Sequence, residues 1–86
     1  MHERIGMAAR ESARLRVAAR LKTARADRRG LKIDEAVELL SAAGICNSRS
    51  TLLAWESGRR QPSADDLAAL AEFYGVTVGW LFAPEG

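Results

Sequence analysis

The chain has 86 residues, 48% of them hydrophobic and 28% charged, the balance of one small globular domain and not of a disordered segment. Its single cysteine, Cys46, excludes an internal disulfide, and its single histidine, His2, excludes a Cys/His zinc site. The net charge of +2 conceals a polarity: residues 1–32 hold ten Lys/Arg against Glu3, Glu11 and Asp27, whereas residues 33–86 hold Arg49, Arg59 and Arg60 against eight acids.

That polarity suggests one face for a polyanion, most simply nucleic acid. The longest mostly apolar stretch, Gly75 to Ala83, is far short of the roughly 18 residues that span a bilayer. The amino terminus carries charge throughout and has no signal-peptide core. A soluble, cytoplasmic protein with no membrane partner is expected.

The periodicity predicts helices from end to end. The first runs over about residues 11–29, with Leu15, Ala18, Leu21, Ala24 and Arg25 on one face and Gly30-Leu31 ending it. Residues 1–10 form either a basic arm or an extension of that helix, leaving 11–86 as the single domain. A second helix covers 33–43, started by Asp34 and Glu35, with Ile33, Ala36, Val37 and Leu40 as its buried stripe and Gly44 at its end. A third covers 48–57, capped by Asn47 or Ser48, with Leu52 and Trp55 inward. Ser63 and Asp66 open a fourth over 64–74, and Thr77 caps a fifth over 78–82 that Pro84 stops. The fold class is all-α, one domain of five short helices.

The stretch Ser48-Arg-Ser-Thr-Leu-Leu-Ala-Trp-Glu-Ser-Gly-Arg-Arg-Gln-Pro-Ser63 resembles the core of the Cro/C1-type (XRE) helix-turn-helix family. Leu67 to Phe82 is similar to that family's fourth and fifth helices, and Arg20 to Arg25 with Gly30-Leu31 to its first. The resemblance spans about residues 14–83. It implies a lambda-repressor-like DNA-binding domain in which helix 48–57 docks in the major groove.

The residues themselves support that reading. A helix opening on Ser-Arg-Ser-Thr presents outward N–H groups and partial positive charge to a phosphate while its side chains reach base edges. Arg49 suits the O6 and N7 of guanine, and Ser50 suits several bases. Ala54 is a third base-reading candidate, through a thymine methyl. Asn47, Ser48 and Thr51 are sized for phosphate oxygens. The resemblance adds Arg59 and Arg60, in a loop laid along the DNA backbone, and Lys32 joins the phosphate set. It also implies an ion pair of Arg25 with Glu56, tying the first helix to the third, and makes Val78 and Phe82 the candidates for a homodimer contact. Trp55, Trp80, Leu81 and Phe82 are expected in the core, Leu53 packed under the turn, and Cys46 inert.

Three departures stand out. Relatives join the second and third helices by a turn of about three or four residues, and here Ser41 to Asn47 lengthens it by roughly five. Either the second helix gains a turn or a loop bulges beside the DNA-facing surface. Val37 replaces a small residue, and Ile33 stands where relatives often carry a backbone-contacting Gln.

The expected function is sequence-specific binding of a double-stranded DNA operator by a stand-alone, repressor-like regulator acting as a dimer. The alternative is an antitoxin-like or adaptor module whose main partner is another protein. No catalytic constellation, cofactor or small-molecule substrate is expected.

Overall fold

Three helices are started by a hydroxyl side chain. Ser48, Ser63 and Thr77 accept hydrogen bonds from the backbone N–H groups of Thr51, Asp66 and Trp80 at 3.2, 3.1 and 3.0 Å, each satisfying a donor that the first turn would otherwise leave open. The computed structural model describes the backbone of residues 2–83 and the side chains of residues 12–83. It contains α1 His2–Thr23, α2 Ile33–Ala42, α3 Arg49–Ser57, α4 Ala64–Tyr74 and α5 Val78–Phe82, with no strand among the described residues. The expected stop at Pro84 lies outside the described residues.

One side of each helix supplies the core. Val17, Leu21 and Ala24, spaced four and three residues apart, meet Ala36 and Leu40 of α2, Leu52 and Trp55 of α3, Leu67, Leu70, Ala71 and Tyr74 of α4, and Leu81 of α5. Ile33, Val37 and Trp80 pack half-buried against this cluster. Burying each of the leucines contributes about 1.5–3 kcal/mol.

The first helix begins at His2, the extension that is one of the two expected forms, and departs from expectation at its end, where Ala24–Arg28 opens into a π-helical turn. The wider turn is closed by hydrogen bonds from Arg29 N–H to Ala24 O at 3.0 Å and from Leu31 N–H to Arg25 O at 2.9 Å. Such turns re-aim side chains in mid-helix, and here Arg25 is directed inward and buried. Leu15, expected on the inner face, is instead 54% exposed, and Val17 takes the core position. Two residues of helix rotate the side chain by about 200°, so the two cannot share a face. Phe82, expected in the core, is likewise exposed, while Leu81 beside it is fully buried.

Candidate nucleic-acid interface

The connection that places α3 is built around one left-handed residue. Gly44 has φ +75°, a conformation that costs a side-chain-bearing residue about 1–2 kcal/mol. Around it Gly44 N–H donates to Ser41 O at 3.0 Å and Ile45 N–H to Leu40 O at 2.9 Å, the paired bonds of a Schellman cap. Ile45 then packs half-buried on the core, and Cys46 is buried with its thiol donating to Ser48 O at 3.4 Å. The extra residues are therefore divided: α2 runs to Ala42, and an ordered connection, anchored by Ile45 and Cys46, brings the chain to Ser48.

At Ser48 the chain enters α3 with Arg49 and Ser50 exposed and Thr51 half-buried. No acidic residue occupies the first turn of α3, whereas α2 opens with Asp34 and Glu35 and α4 with Asp65 and Asp66. The partial positive charge at the start of α3 is thus not offset by a carboxylate of its own helix. Arg49 does have an acidic neighbour from α2: its Nε lies 3.0 Å from Asp34 Oδ1, with both side chains mostly in solvent. In the sequence Asp34 marks only the start of α2. Nothing in the sequence marks a pairing across the lengthened turn.

The outward stripe of α3 continues through Leu53 and Ser57, both exposed. Leu53, expected to pack under the turn, is 36% exposed. Ala54, one of the expected base readers, is only 5% exposed, so its methyl has no surface to offer a base edge. It sits beside Trp55 on the inner side, and its carbonyl accepts from Arg60 N–H and Ser57 Oγ, each at 3.2 Å. Those bonds fold the chain after α3, and Arg59 Nε adds a 3.4 Å bond to Ser57 Oγ. Asn47, Arg59, Arg60 and Lys32 are exposed, and Ser48 is half-buried with its hydroxyl engaged by Thr51 N–H. Lys32 precedes α2, where its backbone N–H donates to Glu35 Oε1 at 2.9 Å.

Behind this surface Arg25 and Glu56 meet as a two-pronged pair. Arg25 Nε lies 2.8 Å from Glu56 Oε2 and Nη2 lies 3.0 Å from Oε1, with side chains 9% and 5% exposed. The remaining Nη1 donates to Leu31 O at 2.7 Å. Hydrogen bonding to Glu56 raises the Arg25 pKa against the opposing effect of burial, so the guanidinium stays charged. The pair joins the π turn, the segment before α2 and α3 at one point. Burial pushes the phenol of nearby Tyr74 up, and its hydroxyl has no hydrogen-bond partner among the described residues.

Much of the amino-terminal positive charge faces elsewhere. Arg16 Nη1 donates to Phe82 O at 3.2 Å and Arg29 Nη1 to Phe73 O at 2.6 Å, so both cap carbonyls at helix C-termini. Arg20 and Arg28 lie over the Trp80 ring at 4.6 and 4.7 Å, and Arg29 over Phe73 at 5.2 Å. These four arginines fasten α1 and the π turn to α4 and α5. Val78 and Phe82, the candidate dimer contacts, are exposed on α5 at 40% and 39%.

A capped helix packed beside the helix before it, with no acid in its own first turn and fronted by an exposed arginine, fits the second helix of a helix-turn-helix domain reached here by a lengthened turn. The family profile described as helix-turn-helix matches residues 21–81, most of the chain. The chain belongs to the Cro/C1-type helix-turn-helix family and is, in general terms, a DNA-binding regulator. No curated protein and no solved structure gives a significant match. Among the described residues no helix is long and apolar enough to cross a membrane.

Proposed function

We propose that the protein is a sequence-specific, double-stranded DNA-binding transcriptional regulator of the repressor or Cro type, acting in the cytoplasm by occluding promoter DNA. The observation that carries this reading is the amino end of α3: capped by Ser48, without a carboxylate in its first turn, and presenting exposed Arg49 and Ser50. In this reading α3 enters the major groove. Arg49 and Ser50 read base edges, and exposed Leu53 replaces Ala54 as the apolar contact for a thymine methyl. Asn47, Ser48, Thr51, Arg59, Arg60 and Lys32 hold phosphates and set the register without reading sequence.

So few base contacts need duplication. A homodimer through Val78 and Phe82 would place two α3 helices on half-sites about 34–36 Å apart. No enzymatic activity belongs to this reading.

The second reading is a module whose main partner is another protein. It is favoured by the exposure of Leu39 and Leu53 on α2 and α3, at 43% and 36%. A footprint of the purified protein on DNA flanking its own gene, at near-physiological salt, separates the two. Two protected patches one helical turn apart and related by a dyad support the dimeric regulator. Salt-sensitive smearing without protection overturns it and favours the protein partner.

A further inference from the structure

We infer that Asp34 is a positioning and specificity-determining residue for Arg49. The inference rests on the proposed reading of Arg49 as a base reader. Asp34 and Glu35 both stand in the first turn of α2, and their engagements differ. Glu35 turns back to the Lys32 N–H at 2.9 Å, whereas Asp34 reaches across the helix-turn-helix to Arg49 Nε at 3.0 Å. The contact engages the inner nitrogen of the guanidinium. A guanine edge is read by a parallel pair of N–H groups, which the two terminal nitrogens of the fork supply. A carboxylate beside Nε therefore biases where the guanidinium lies while leaving the two terminal nitrogens to meet the guanine edge.

Exposed as it is, with side chains 64% and 82% accessible, the pair contributes little to folding. Its consequence falls on binding. Part of the rotamer freedom that Arg49 must give up on DNA is given up beforehand. As DNA displaces water the pair strengthens, because the surrounding dielectric falls. The same negative charge opposes the alternative in which Arg49 settles on a phosphate, so guanine becomes the better acceptor. Asp34 thereby raises discrimination while lowering affinity for unrelated DNA.

The test measures binding of wild-type protein, Asp34→Ala, Asp34→Asn, Arg49→Ala and the Asp34→Ala/Arg49→Ala double variant. The probes are a series of duplexes in which each base pair of the footprinted site is changed in turn, and a random-sequence duplex. At the position whose preference depends on Arg49, Asp34→Ala is expected to cut the guanine preference by roughly three- to tenfold, with equal or tighter binding to random DNA. Asp34→Asn, which keeps an oxygen in place without the charge, is expected to fall between. In the Arg49→Ala background the Asp34 substitution is expected to leave the preference profile unchanged. An unaltered preference in Asp34→Ala, or the same loss with and without Arg49, overturns the inference. If wild-type protein binds its site but no base position responds to Arg49→Ala, this inference falls alone. If it protects no DNA, the proposed function falls with it.

Discussion

Leu15 of α1 lies directly over Gly58, the residue that ends α3: its Cδ2 is 2.9 Å from where a β-carbon on Gly58 would stand. Gly58 also has φ +81°, the left-handed region. Two constraints therefore act at the point where the chain leaves α3 and turns into the loop of Arg59 and Arg60. They are unequal. Leu15 is half-exposed and its tip can swing into solvent, whereas the backbone conformation has no such escape.

Gly58→Ala is accordingly expected to lower stability by about 1–2 kcal/mol, most of it from the left-handed backbone. Urea unfolding of Gly58→Ala, alone and combined with Leu15→Ala, checks the division. Recovery of less than half the loss on removing Leu15 supports the backbone account. Full recovery would show that the side-chain contact controls the site.

Arg25→Ala is expected to be far more damaging, at about 3–5 kcal/mol, because it strands the Glu56 carboxylate in a nearly dry position and removes the bond to Leu31 O. For a domain whose total stability is on the order of 5–15 kcal/mol, that is a large share. Arg25→Lys should rescue only part of it, since an ammonium cannot reproduce the fork that meets both carboxylate oxygens and the carbonyl. Thermal melts without DNA make the comparison, and an unchanged Tm in Arg25→Ala would remove the pair from the account of stability.

The legible parts of the fold are those where a local group settles the backbone. Ser48, Ser63 and Thr77 cap α3, α4 and α5 through bonds made within three residues, so those helix starts could be read from sequence alone. The π turn could not, because no residue within Ala24–Arg28 marks it, and the partner of its buried Arg25 is Glu56, 31 residues away. Alanine carries no polarity signal, and only the rotation of α3 about Leu52 and Trp55 decides that Ala54 faces inward. The basic amino-terminal half shows the limit of charge counting. Arg16, Arg20, Arg28 and Arg29 meet carbonyls and aromatic rings of α4 and α5, and composition does not distinguish that use from a phosphate-binding face.

Tyr74 is the only tyrosine in the chain, which makes its titration readable by absorbance. Burial raises its phenol pKa above the ordinary value of about 10. The neutral phenol is therefore favoured by the fold: stability from this source is full below about pH 10 and is lost as pH rises beyond it, where the unfolded chain ionises first. Phenolate is expected to appear together with loss of the helical signal. Ionisation near pH 10 with the helices intact would contradict the burial argument. Tyr74→Phe should blunt this alkaline loss and leave neutral-pH stability unchanged or raised by up to about 1 kcal/mol, since the hydroxyl has no hydrogen-bond partner to lose.

Arg49 and Arg59 are both exposed cations on the proposed DNA face, but their surroundings differ and so do their expected contributions. Arg49 stands in the first turn of α3 with Asp34 Oδ1 3.0 Å from its Nε. Arg59 lies in the following loop, its Nε bonded at 3.4 Å to Ser57 Oγ at the far end of the outward stripe. Arg49→Ala should cost about 1–3 kcal/mol on the preferred base pair and much less on duplexes altered there, flattening preference at one position. Arg59→Ala should weaken binding to every duplex alike and reduce the slope of log affinity against log salt by about one. A salt titration on the preferred and altered duplexes measures both quantities at once. Uniform weakening by Arg49→Ala would reassign it to a phosphate, and an unchanged slope in Arg59→Ala would place that side chain in solvent.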